Sequence, residues 1–156
     1  MNKGELREAY IEYIKHKGIL ISTDELAIYR AYRSEFLEFL QEKIHRNYST
    51  EEEDRIFFTI FKFRKAKEFE QLGIPKEKRN FPEKVSAATL TDIYEEFRKR
   101  RISSDKIVIY QKYRSEFIKS LRQKVDLDLS EEDEDNCLWQ LCRMRKDRKL
   151  KKFKDK

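Results

Sequence analysis

The sequence predicts an all-α fold, a compact helical bundle of about six helices made by tandem duplication of a three-helix unit. The segment Tyr29–Phe36 recurs in similar form as Tyr110–Phe117, 81 residues later. Placing residues 21–69 over residues 102–150 needs no gap, and 18 of the 49 pairs are identical. Apolar residues recur at helical spacing, while only three Gly and two Pro interrupt the chain.

Two repeats and a linker are expected. The first three-helix repeat should span residues 1–72, the linker residues 73–85, and the second repeat, with its basic C-terminal helix end, residues 86–156. Both prolines of the chain fall in the linker, within a charged stretch that has few apolar residues. A unit of about 70 residues is near the lower limit for independent folding, so each repeat should have a small, aromatic-rich core.

Helix limits follow from capping residues. The first helix should end at Gly18, which suits a left-handed cap. A long second helix is expected over about residues 23–46, and its counterpart over about residues 104–127. The third helix of each repeat should begin at Ser49 or Ser130, and each starts with acidic residues and ends with basic ones, a polarity that complements the helix dipole.

Helical periodicity also predicts which side chains are buried. Trp139 and its counterpart Phe58 are interpreted as core residues, with a base-stacking platform as the alternative for Trp139. The other predicted core residues are Tyr29, Tyr32, Phe36, Leu40, Ile56, Ile60, Tyr110, Tyr113, Phe117, Leu121, Leu138 and Leu141.

Four arginines are candidate anion or ion-pair positions. On a helical wheel, Arg33 and Arg64 fall inside the apolar arcs of the second and third helices, and Arg114 and Arg145 repeat them. A buried guanidinium is costly unless its charge is met. Three arrangements remain open: an internal ion pair, a phosphate-binding notch between helices, or extension to solvent. The retained candidate carboxylates for ion pairs are Glu35, Asp54, Glu116 and Asp135.

Basic charge is concentrated at the C-terminal end. Residues 143–156 include nine basic and two acidic residues, a net charge of +7, whereas the whole chain has +6. Nucleic acid, anionic lipid or an acidic protein segment would suit such an end, and the partner expected is nucleic acid, DNA or RNA, bound without strong sequence preference. Arg98–Arg101 would widen the surface if they lie nearby. A solvated helix end is the alternative. The candidate nucleic-acid-binding residues are Arg143, Arg145, Lys146, Arg148, Lys149, Lys151, Lys152 and Lys154.

Enzymatic chemistry is not expected. The chain has no Gly-rich phosphate loop, nucleophile elbow, Cys-x-x-Cys pair or His-Glu-x-x-His motif. His16 and His45 have no ligand or triad partner at suitable spacing, and the acidic run Glu131–Asp135 is interpreted as helix capping because it lacks the spaced ligands of a calcium loop. We therefore predict no catalytic residue, cofactor, metal or small-molecule substrate.

The expected location is cytoplasmic. Cys137 and Cys142 diverge by roughly 140° on one helix, too far to form a disulfide, so they are interpreted as free thiols in a reducing compartment. No apolar run approaches the roughly 20 residues of a membrane span, and no membrane partner is expected. Abundant Lys and Glu with few Asn and Gln are a composition found in thermophilic proteins.

A second function hypothesis is a helical adaptor or scaffold that contacts protein partners or itself. The third helix, from Asp54 to Phe69, has an acidic start, an aliphatic and aromatic middle and a closing Arg-Lys cluster. This pattern resembles the helical domains of the GINS replication proteins over one helix per repeat, and no functional residue is carried over. It implies a place in a DNA-replication or DNA-processing complex. Separately, the third helix of the first repeat is denser in aromatic residues than one buried face requires, so the first unit is expected to supply a packing or partner surface. The aromatic residues of that surface would be Phe57, Phe58, Phe61 and Phe63.

Overall fold

The computed structural model describes residues 2–63, 72–75 and 83–146, and the chain divides into two compact units, Met1–Asn80 and Phe81–Lys156. In the described residues there are eight α-helices, four in each unit, and no strand. The predicted all-α class is therefore confirmed. The predicted linker spans the unit boundary, and its residues 76–82 lie outside the described part of the chain.

The helices of each unit follow one another in similar order. In the first unit they are α1 Lys3–Lys17, α2 Thr23–Ile28, α3 Arg30–Ile44 and α4 Thr50–Phe61. In the second unit they are α5 Ala87–Lys99, α6 Ser104–Ile109, α7 Gln111–Lys124 and α8 Glu131–Lys146. Helices α1 and α2 pack on α3 and α4, and helices α5 and α6 pack on α7 and α8.

Side-chain caps set where these helices begin. Ser22, Ser49 and Ser103 each accept a hydrogen bond from the backbone N–H three residues later. At Ser49 the bond is reciprocal, because Glu52 accepts from the Ser49 N–H, which completes a capping box. Gly18 ends α1 in the left-handed conformation at φ 71°, as predicted, and donates its N–H to the Ile14 carbonyl.

The predicted long second helix is wrong in both units. Tyr29 is extended, at φ −82° and ψ 122°, and separates α2 from α3; Tyr110 does the same between α6 and α7, at φ −73° and ψ 122°. Each tyrosine still donates its N–H to the helix before it and accepts from an arginine N–H in the helix after it. The break therefore leaves the N–H and the carbonyl group of each tyrosine hydrogen-bonded.

Most of the predicted core is buried, and five of its residues are only partly buried. Tyr32, Tyr110 and Tyr113 are only partly buried; the buried side of α3 passes through Arg33, Phe36 and Leu40, and that of α7 through Arg114, Phe117 and Leu121. Phe36 and Phe117 are fully buried. Phe58 and Trp139, which were also interpreted as core residues, are likewise only partly buried.

Candidate nucleic-acid interface

Arg114 of the second unit is buried against the helix break. Its Nη1 donates to the Val108 carbonyl oxygen at 2.7 Å, and its Nη2 lies 2.9 Å from Oδ1 of Asp135 on α8. Both side chains are largely buried, with 8% and 5% of their surface exposed. Val108 is in the last turn of α6, where carbonyl groups lack intrahelical donors. Arg114 therefore satisfies a helix end and joins α7 to α8.

Arg33 has the same arrangement in the first unit. Its Nη1 donates to the Ala27 carbonyl oxygen at 3.1 Å, and its Nη2 lies 3.5 Å from Oδ1 of Asp54. The guanidinium also lies over the Phe57 ring, 4.3 Å from its centroid. Of the three arrangements left open by the sequence, the geometry at Arg33 and Arg114 is that of an internal ion pair. An external anion would have to displace a buried carboxylate.

The other two retained carboxylates have different partners. Glu35 accepts from the Tyr13 hydroxyl at 3.0 Å and lies 2.7 Å from the Lys17 ammonium. Burial raises the pKa of Glu35, but the hydrogen bonds from Lys17 and Tyr13 outweigh it and hold that pKa below its ordinary value. Glu116 lies 2.8 Å from Nη1 of Arg100. These carboxylates join α3 to α1 and α7 to the end of α5.

Acidic residues at the start of α8 form a cap and ion pairs within the second unit. Asp133 accepts from the Ser130 N–H at 3.0 Å and pairs with Lys84 at 2.9 Å. These contacts, the backbone bond first, hold the pKa of Asp133 below its ordinary value. Glu134 pairs with Nε of Arg122 at 2.7 Å. Among the described residues no group of three or more His, Cys, Asp or Glu side chains is arranged to hold a metal ion.

Arg145 lies at the end of α8, against the start of α6. Its Nη1 is 3.4 Å from Oδ1 of Asp105, which is largely buried, while Arg145 keeps 39% of its side-chain surface exposed. Burial raises the pKa of Tyr94, and the positive charges of Arg98 and Arg145 both oppose that shift. Arg145 therefore lies beside the start of α6, which follows the C-terminal end of α5. Arg64, the counterpart of Arg145, is outside the described residues.

We refer to Lys99 and Arg101 together with Arg143, Arg145 and Lys146 as the basic end. Arg143 and Lys146 are exposed, as are Lys99 and Arg101. The remaining predicted binding residues lie outside the described part of the chain, and they are Arg148, Lys149, Lys151, Lys152 and Lys154.

The backbone at Arg101 is unusual. Arg101 has φ 60°, in the left-handed region that favours glycine, and its N–H bonds to the Arg98 carbonyl oxygen. The next residue, Ile102, donates to the Phe97 carbonyl oxygen, which completes a Schellman-type end of α5. A cation thus occupies a position where glycine would fit with less strain. Nothing in the sequence pattern predicts this conformation.

The chain matches none of the protein-family models, curated proteins or solved structures with which it was compared. No match to a family model thus supports the resemblance of the third helix to the helical domains of the GINS proteins. None of the helices in the described residues combines the length and the apolar character needed to cross a membrane.

Proposed function

We propose that this chain is a non-enzymatic nucleic-acid-binding protein that contacts phosphates through the basic end of its second unit, without strong sequence preference. The observation that supports the proposal is the separation of charge along α8. The acidic groups Asp133 and Glu134 form ion pairs inside the unit. The cation Arg143 is exposed and forms no ion pair with any described residue, so its charge is available to an anionic partner.

The sequence outside the described residues extends the same charge. Residues 147–156 contain six basic and two acidic residues, a net charge of +4 that follows directly on the basic end. Phosphate contacts of this kind release counterions and depend steeply on salt, and they read no base sequence. The sequence offers no base-reading motif, in agreement with sequence-tolerant binding.

The adaptor hypothesis receives less support. Phe57, Phe61 and Phe63 are buried within the first unit, so they do not form the partner surface that the aromatic third helix suggested. Among the described residues, the exposed large apolar side chains are Ile44 and Leu127, at 38% and 51%, and they belong to different units. Single exposed apolar residues are ordinary features of protein surfaces.

The test is a titration of fluorescently labelled DNA and RNA at two salt concentrations. We expect measurable affinity at low salt that falls steeply as salt rises. Deleting residues 148–156 removes six basic residues. The slope of log affinity against log salt is negative, and its magnitude should decrease by up to about 5 on duplex DNA, at about 0.9 for each phosphate that the shortened chain no longer neutralises. Circular dichroism should show that the shortened chain keeps its helices.

A matched control removes one positive charge from the first unit. Arg55, on α4, is exposed, and within the described part of the chain its ion pair is a weak i,i+4 contact with Glu51 at 3.8 Å. We expect Arg55→Ala to leave affinity unchanged, whereas Arg143→Ala should weaken it. Equal effects of the two substitutions, or unchanged affinity and salt slope after the deletion, would favour the adaptor. No binding by the full chain at low salt would exclude nucleic-acid binding.

We further infer that the two units descend from one duplicated helical unit. The gap-free alignment supports this, as do the matching breaks at Tyr29 and Tyr110. The buried pairs of Arg33 and Arg114 with their aspartates also occupy aligned positions. On this proposal each described copy has four helices rather than three, because its second helix is broken.

A further inference from the structure

The outer side of α7 has lysines at its centre. Opposite the buried side of this helix, at 100° per residue, the central positions are those of Lys112, Lys119 and Gln123. All three residues are exposed, and Ser115 is exposed beside them. Lys119 follows Lys112 by two turns, which places the two cations about 10 Å apart along the axis. The two lysines thus form a row on the side of the helix that faces away from the core of its unit.

The charges of these lysines are not compensated within the described part of the second unit. Lys119 forms no ion pair with any described residue. The Lys112 ammonium lies 5.7 Å from the centroid of the Tyr113 ring, a contact that does not neutralise its charge. Glu116 is the sole acidic residue of α7, and it pairs with Arg100 at 2.8 Å. The row of lysines therefore keeps its positive charge.

The two cations in the last turn of α7 have partners on neighbouring helices. Nε of Arg122 lies 2.7 Å from Glu134 on α8, and the Lys124 ammonium lies 3.8 Å from Glu96 on α5. These pairs join α7 to the rest of its unit. The charge that α7 offers to an external partner is therefore that of the lysines on its outer side.

The first unit has the opposite charge at the aligned positions of α3. The three residues there are also exposed, and they are Ala31, Glu38 and Glu42. Two glutamates give the centre of the outer side a charge of −2 in the first unit, whereas two lysines give +2 in the second. Because exposed side chains at these positions do not contribute to the core, packing does not require the reversal. An anionic partner that binds the second unit would explain it.

We propose that α7 lies along the backbone of double-stranded nucleic acid, with Lys112 and Lys119 on phosphates and Ser115 and Gln123 hydrogen-bonded to phosphate or sugar oxygens. This inference rests on the proposed function, which it extends to a second surface of the same unit. Lys, Ser and Gln are among the side chains that commonly contact the phosphates and sugars of DNA. The centre of this side has no aromatic residue on which an unpaired base could stack, which favours a duplex over a single strand.

The experiment measures binding of the full chain to a fluorescently labelled DNA duplex of about 20 base pairs over a range of salt concentrations. Each lysine that leaves a phosphate should reduce the magnitude of the salt slope by about 0.9. We therefore expect Lys112→Ala with Lys119→Ala to reduce it by about 1.8, and to weaken binding in 0.1 M salt by up to about 60-fold. Lys112→Arg with Lys119→Arg keeps both charges and should preserve the affinity and the slope.

A matched control removes two exposed cations from the first unit. Lys15→Ala with Arg55→Ala changes the net charge by the same amount, and both residues are exposed. We expect this pair to leave affinity for the duplex unchanged, and circular dichroism should show that both double variants are folded. Equal losses in the two double variants would show that only net charge matters and would overturn the assignment to α7.

Two further probes test other anionic partners. They are a single strand of the same length and a labelled polyglutamate, which represents an acidic protein segment. We expect the parent chain to bind the duplex more tightly than either probe. If removal of the two lysines weakened binding of either probe as much as binding of the duplex, the duplex assignment would be wrong.

The outcomes distinguish this inference from the proposed function. If the folded variant without the two lysines binds the duplex as the parent does, while deletion of residues 148–156 lowers affinity, the α7 surface is refuted and the basic end stands. If the deletion has no effect while the lysine variant binds weakly, the α7 surface stands and the basic end is refuted. If the parent chain does not bind the duplex at low salt, both are refuted.

Discussion

Replacing Arg114 by Leu should destabilise the second unit by about 3–5 kcal/mol. The substitution removes the arginine that pairs with the Asp135 carboxylate, which is only 5% exposed. It also removes the N–H group that donates to the Val108 carbonyl oxygen at 2.7 Å. Removing one partner of a buried pair typically costs this much, because the remaining charge stays desolvated. A unit of this size has a total stability of about 4–11 kcal/mol, so the variant would be marginally folded.

Urea denaturation followed by the fluorescence of Trp139 measures this cost, because Trp139 lies on the same helix as Asp135. With a slope of about 1 kcal/mol per molar urea, the midpoint should fall by about 3 M or more. The double variant Arg114→Met with Asp135→Leu should recover most of the loss, since apolar residues can replace a buried ion pair.

The matched control is the pair of Arg100 with Glu116 in the same unit. Its N–O distance of 2.8 Å is nearly that of the Arg114–Asp135 pair, but its side chains are 52% and 36% exposed. Glu116→Gln should therefore cost less than about 1 kcal/mol. If Arg114→Leu cost no more than Glu116→Gln, burial would not determine the strength of these pairs and the reasoning would be refuted.

Four further substitutions and one thiol reaction provide additional tests. Phe117→Ala should cost about 3–5 kcal/mol in denaturant, because the ring is fully buried, and a cost below about 1 kcal/mol would contradict that. Ser104→Ala should be neutral or stabilising, since its buried hydroxyl has no hydrogen-bond partner among the described residues, whereas Thr23→Val should cost about 1 kcal/mol by removing a bond to a backbone carbonyl at 3.3 Å; the reverse order would refute this. Arg101→Gly should raise the free energy of unfolding by about 0.5–1 kcal/mol by relieving the left-handed backbone, and a lower melting temperature would argue against strain there. Burial raises the pKa of Cys137 to about 11, so its thiol should react slowly with a disulfide reagent at pH 8 and rapidly after unfolding; rapid reaction in the native state would show that it is accessible.

Features that depend on local chemistry were predictable from the sequence. The serine caps and the Gly18 cap follow from residue type and spacing, and they occur where expected. The aligned arginines and aspartates were predicted as candidates for ion pairs because a charge inside an apolar arc needs a partner. The sequence could not predict that Arg33 pairs with Asp54 rather than with Glu35, because both carboxylates are retained in the two repeats. The packing of α3 on α4 decides between the two partners.

The helix break at Tyr29 could not be predicted, because neither Gly nor Pro occurs nearby and the local propensity favours one continuous helix. Tertiary contacts override that propensity: Arg33 satisfies the carbonyl at the end of α2, and α2 packs on α4 in its new direction. The partial exposure of Trp139 depends likewise on which side of α8 the other helices cover. Spacing along one helix does not contain that information.

The hydrogen bond from the Leu20 N–H to the Pro75 carbonyl oxygen, at 2.8 Å, has a practical consequence for dissecting the protein. It ties the connection between α1 and α2 to a segment that follows α4, near the left-handed Gly73. A fragment cut at residue 72, the predicted end of the first repeat, would lose this tether, whereas one that extends to residue 80 would keep it. Comparing the resistance of the two fragments to proteolysis would establish the smallest autonomous form of the first unit.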